Sequence, residues 1–129
     1  MKYYINREIK SGFEEAIEKV TEELKKEGFG VLSDIDVSAT LKKKLDVDFP
    51  RYRILGACNP GFAHKALQEE EKIGTMLPCN VIVREIPNDY IEVAAIDPVA
   101  SMQAVENVKI KPIAEEVKKR LTKVITQLG

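Results

Sequence analysis

The chain has 129 residues, 44% of them apolar and 32% charged, with 20 basic against 21 acidic side chains and a net charge of −1. That length suits one core, so residues 1–129 are expected to form a single domain, and the even charge leaves no basic surface for the phosphates of nucleic acid. No tract is apolar enough to span a bilayer, and the N-terminal stretch reaches Arg7 and Glu8 too soon for a signal peptide, so the expectation is a cytoplasmic protein that binds neither membrane nor nucleic acid.

Residues 3–9 alternate weakly and read as a first strand. Ser11 then precedes Phe13, Ile17, Val20 and Leu24, whose spacings of four, three and four make one helical stripe. Glu14, three residues after Ser11, completes a capping-box pattern, and Gly28 supplies a left-handed stop, so the helix is expected over residues 12–27. Phe29, Val31, Ile35 and Val37 fall on odd positions, the period of a strand, over residues 29–37. Residues 40–45 read as a short helix with Lys42, Lys43 and Lys44 on its solvated side, and residues 52–58 as a third strand.

Asn59 is a natural N-cap and Pro60 suits a first helical turn, opening a helix that points Ala63, Ala66, Leu67 and Ile73 inward, turns Glu69, Glu70 and Glu71 outward, and stops at Gly74. Residues 77–86 and 90–96 form two more strands joined by the turn Pro87-Asn88-Asp89. After Asp97-Pro98 comes a short irregular or helical stretch. Ile110, Ile113, Val117, Leu121, Val124 and Leu128 then recur at threes and fours, the clearest helix in the chain. Such a stripe needs a surface to lie on, and the expected fold is α+β: a mainly antiparallel five-stranded sheet with helices packed on one face.

Chemistry concentrates at the only two cysteines, which flank one helix in matching contexts, Ala57-Cys58-Asn59-Pro60 and Pro78-Cys79-Asn80. In a cytosolic chain both are expected as free thiols. Alternation groups Cys58 with Tyr52, Ile54 and Gly56, and Cys79 with Val81 and Val83, both on faces expected to be core-directed. If the third and fourth strands are antiparallel neighbours, the two thiols meet at a sheet edge. Cys58 also precedes a helix N-terminus, where the free N–H groups stabilise a thiolate and lower a thiol pKa from about 8.5 to about 7.

The candidate ligand-binding residues are therefore Cys58, Asn59, His64, Cys79, Asn80 and Asp97. Four readings of the cysteine pair stay open. They are small buried hydrophobes, the wall of a ligand pocket shared with the two asparagines, part of a metal site, or a redox pair or nucleophile. The only histidine, His64, neighbours Ala63 on the helical wheel, which turns its ring toward solvent, and the cysteine spacing is not that of a zinc motif. Asn59 and Asn80 also have ordinary structural readings as a cap and a strand end, and Asp97 as the start of a turn. Met76 and Met102 read as core filler.

The runs Tyr52-Arg53-Ile54-Leu55-Gly56-Ala57-Cys58-Asn59-Pro60, Ala66-Leu67, Ile73-Gly74, Leu77-Pro78-Cys79-Asn80-Val81 and Ala95-Ile96-Asp97-Pro98 closely resemble the domain-of-unknown-function family numbered 302. The resemblance covers nearly the whole chain and implies a β-α-β(4)-α fold similar to one TATA-binding-protein repeat, in proteins that look like homodimers, with no established activity. Its pattern falls on Gly56, Cys58, Asn59, Pro60, Leu67, Gly74, Leu77, Pro78, Cys79, Asn80, Asp97 and Pro98. Where many relatives carry proline, this chain has Glu69-Glu70-Glu71, which is expected to lengthen the helix. Fold likeness to a DNA-binding repeat does not transfer its function, because the basic and wedge residues are missing. The expected function is a homodimeric domain that holds a small ligand or a soft metal between Cys58 and Cys79. The alternatives are a thiol enzyme or redox protein working through Cys58, and a structural or partner-binding subunit.

Overall fold

The computed structural model describes residues 2–129. The elements follow in the order β1 (Tyr4–Lys10), α1 (Phe13–Lys26), β2 (Gly30–Asp36), α2 (Val37–Leu45), β3 (Tyr52–Cys58) and α3 (Pro60–Glu69). A 3-10 turn (Glu71–Met76), β4 (Cys79–Ile86), β5 (Tyr90–Ile96), α4 (Pro98–Ser101) and α5 (Ile110–Gln127) complete the chain. Five strands make one open sheet in the order β1-β5-β4-β3-β2, every neighbour antiparallel, so the fold is the expected α+β arrangement.

Period-two patterning decides which face is covered. Leu55 and Ala57 on β3, Val81 and Val83 on β4, and Val93 and Ala95 on β5 are buried in one cluster with Val20 and Leu24 of α1 and Leu121 and Val124 of α5. Both stripes expected from the sequence lie there. Each buried aliphatic contributes about 1.5–3 kcal/mol, which offsets the entropy of ordering helices that would be marginal alone. The opposite sheet face presents Tyr52, Ile54, Ile82, Arg84 and Glu92, all half-buried, with Arg84 Nε donating to Glu92 Oε1 at 2.6 Å. No helix among the described residues is long and apolar enough to cross a membrane.

Several local expectations are corrected. The capping box does not form: Ser11 Oγ donates to the Gly12 carbonyl at 3.0 Å, and Gly12, with no side chain to offer, is the N-cap of α1. Gly28 does end that helix in the left-handed region, at φ 86°. α2 starts at Val37 rather than residue 40, because the Asp36 carboxylate accepts from Ala39 N at 2.9 Å and nucleates it earlier. β2 is an edge strand with a bulge between Val31 and Ser33, held partly by Arg53, which donates to the Asp34 carboxylate at 2.8 and 2.6 Å.

α3 is not lengthened by its glutamates. It stops at Glu69, Glu70 is extended, and the chain resumes as the 3-10 turn that buries Ile73. Leu67, expected inward, is 44% exposed. The turn before β5 holds Asn88 at φ 68° and Asp89 at φ 61°, the residue types that tolerate a left-handed backbone with least strain. The Leu77-Pro78 peptide bond is cis.

Candidate functional site

β3 and β4 are paired through Ala57 and Cys79, so the C-terminal end of one lies against the N-terminal end of the other. The meeting point is inside the sheet, between β2 and β5, not at its edge. Residues opposite one another share a face, so Cys79 stands with Ala57 on the helix-covered side and is buried. Cys58, one residue further, belongs by alternation with Gly56 and Ile54 on the other face. The expectation that both cysteine faces are core-directed therefore holds for Cys79 alone. Cys58 is half-buried at the strand end, where the chain turns into α3.

Asn59 makes that turn. Its Oδ1 accepts from Phe62 N and its Nδ2 donates to the Glu27 carbonyl, both at 3.4 Å, which ties the start of α3 to the end of α1. Arg120 of α5 donates to the same carbonyl at 3.3 Å and sets its guanidinium 5.0 Å from the centroid of the Phe62 ring. Gly28 follows that carbonyl, and any Cβ there would come within 3.0 Å of Asn59 Nδ2, so close approach and positive φ both favour glycine. Three helices are thus gathered around the strand ends.

Between the strand ends, α3 and α5 lies a cavity of about 250 Å³ bordered by Cys58, Asn59 and Cys79. Its remaining wall is apolar: Phe29 before β2, Leu32 on β2, Ala57 on β3, Phe62, Ala63 and Ala66 on α3, Leu77 and Pro78 before β4, Pro98 and Met102, and Ile113, Ala114 and Val117 on α5. No charged side chain borders it. Burial, with a smaller push from neighbouring Cys58, raises the Cys79 thiol from its ordinary 9.0 to about 11, so it is a neutral group at physiological pH.

Three of the six candidates stand elsewhere. His64 is exposed on α3, one position round from Ala63 on the wheel, and does not border the cavity. Asn80 is exposed on the opposite sheet face, across from Gly56, because strand alternation turns it away from Cys79. Asp97 is buried beside the site but spent on structure: its Oδ1 accepts from Val99 N at 2.9 Å and Ala100 N at 3.3 Å, and Lys118 Nζ lies 2.9 Å from Oδ2. Among the described residues no group of three or more His, Cys, Asp and Glu side chains comes together to hold a metal ion.

The profile described as "Domain of unknown function DUF302" matches residues 5–128. The chain belongs to the DUF302 family. It is similar to an uncharacterized conserved DUF302 protein from Bacillus stearothermophilus known from a crystal structure, with a TM-score of 0.90 and 31% identity over 98% of each chain. No curated protein matches it.

In this DUF302 domain the residues that sequence reasoning missed are the apolar ones. Phe29, Phe62, Met102 and Val117 border the cavity, yet each reads in sequence as ordinary core. Leu32 carries a signal that could have been found: a large apolar side chain on the polar phase of β2. The bulge at Val31/Ser33 leaves it 72% exposed at the cavity border.

Proposed function

We propose that this DUF302 domain binds a small, compact ligand in the cavity between the β3–β4 strand ends, α3 and α5, with Cys58, Asn59 and Cys79 as its polar end. The observation that carries the reading is an apolar cavity of about 250 Å³ that borders both cysteines. A dry cavity of about 150 Å³ accepts benzene, so this one suits a guest of about ten heavy atoms. A soft metal is the weaker occupant, because among the described residues no third ligand joins the two thiols. We propose a cytoplasmic location as well, where thiols stay reduced, and assembly as the homodimer that the family resemblance implies.

Native mass spectrometry with a panel of compact apolar molecules, run beside zinc and copper(I), tests the site. A one-to-one adduct that slows iodoacetamide modification of half-buried Cys58 is the expected result. Absence of any such adduct, with Cys58 modified at an unchanged rate, would remove the ligand reading. A metal adduct abolished by thiol blocking would replace it with the metal one. Light scattering checks the assembly: a mass near 14.5 kDa, that of a single chain, would rule out the homodimer.

A further inference from the structure

We infer that the guest of this cavity is electrically neutral and carries a hydrogen-bond acceptor that meets the side-chain amide of Asn59. The inference rests on the ligand reading above and specifies the class of molecule. Neutrality follows from the wall. No charged side chain borders the cavity, and an ion moved from water into such a place, without a partner, pays several kcal/mol of desolvation. The nearby cations on α5 are already engaged. Arg120 donates to the Glu27 carbonyl and to Glu116 Oε1, each at 3.3 Å, and lies over Phe62; Lys118 pairs with Asp97 at 2.9 Å. Neither borders the cavity. Cys79, whose burial keeps it protonated, supplies no charge to attract a cation.

The acceptor follows from a count of Asn59's hydrogen bonds. A carboxamide has two N–H donors. Among the described residues Asn59 uses its oxygen for Phe62 N and one N–H for the Glu27 carbonyl, and its second N–H has no partner. Asn59 borders the cavity, so we assign this second donor to an acceptor on the guest. The thiols of Cys58 and Cys79 are weak donors, and the other wall side chains have none. A guest carbonyl or ether oxygen satisfies the amide, whereas a pure hydrocarbon offers it no partner.

Three probes of matched size separate the possibilities: acetophenone (neutral with an acceptor), isopropylbenzene (neutral without one) and benzoate (charged). Titration of the full chain, followed by calorimetry and by protection of Cys58 from iodoacetamide, is expected to rank acetophenone about fivefold tighter than isopropylbenzene. Benzoate should be weaker than acetophenone by about a hundredfold or more. Asn59→Ser keeps a capping oxygen for α3 and puts a shorter hydroxyl, with a single O–H donor, in place of the carboxamide; in it the preference for acetophenone should shrink. Because that result is a ratio within one variant, a general loss of stability does not mimic it, and the wild-type ranking stands without it.

Equal binding of the two neutral probes to the wild-type chain, benzoate within about tenfold of acetophenone, or an undiminished preference in Asn59→Ser overturns the inference and leaves the cavity as a binding site. Failure of all three probes to bind or to protect Cys58 removes the ligand reading itself, and this inference with it.

Discussion

Cys79 gives the site a pH signature. Its thiol is raised from 9.0 to about 11 by burial first and by Cys58 second, so between those values the folded chain keeps a proton that the unfolded chain releases. The resulting stabilisation, about 2–3 kcal/mol, is fully present below the lower value and lost as pH climbs through the upper one. Denaturant midpoints measured from neutral to alkaline pH should fall more steeply for the wild type than for Cys79→Ala, and parallel curves would contradict this account. Gly56 makes a second sharp case. A Cβ there would run into Ser33 Oγ and lie 2.8 Å from Pro78 Cγ, and the proline ring cannot swing aside. Gly56→Ala is therefore expected to cost about 1–3 kcal/mol in chemical denaturation, and an unchanged midpoint would show that the Pro78 segment yields freely. The family pattern already marked Gly56, but the reason for it was not legible. Ser33 and Pro78 are 23 and 22 residues away in the chain, and the β2 bulge and the β3–β4 register bring them to it.

Elements whose identity rests on period alone were legible, and elements whose ends depend on distant partners were not. The stripe from Ile110 to Leu128 predicted α5, and the alternation of Val81 with Val83 predicted β4 apart from its start, which falls at Cys79 rather than residue 77, because a buried face leaves its period in the sequence. α3 failed at its C-terminal end. Glu69-Glu70-Glu71 has good helix propensity, yet Asn107, more than thirty residues later, donates to the Glu69 carbonyl at 2.7 Å and to Glu70 Oε1 at 3.3 Å. Those bonds satisfy the helix end where it stops, and burial of Ile73 rewards the tighter turn that follows. At α4 the balance is reversed: a helix of four residues exists because Asp97 caps it. Asp97→Ala removes two hydrogen bonds to backbone N–H groups and leaves Lys118 without its carboxylate, at an expected cost of about 2–3 kcal/mol in urea unfolding. Asp97→Asn, which keeps an oxygen for the cap, should lose only part of that. Equal losses in the two variants would assign the whole effect to the Lys118 pair.

The candidate site was half legible for a related reason. Matching Cys-Asn segments announced where two strands would meet, but pleating sends Asn80 to the opposite face of the sheet from Cys79, and only Asn59, which caps α3, borders the cavity. The hollow itself has no sequence signature, since it is space left where α3 and α5 converge over the strand ends without filling them. A layer that merely failed to pack would gain from being filled. A layer shaped for a guest would gain in the same way and lose its guest. Ala114 of α5, 3% exposed and bordering the cavity, tests both. Ala114→Leu adds apolar volume toward space that is already empty, so stability is expected to hold or to rise by about 1–2 kcal/mol. Titration with acetophenone should then show affinity lowered by at least about tenfold, because the added side chain and the probe compete for the same volume. Raised stability with undiminished binding would place the probe elsewhere on the molecule. A fall of about 3 kcal/mol, the signature of overpacking, would mean the hollow is smaller than about 250 Å³ in solution.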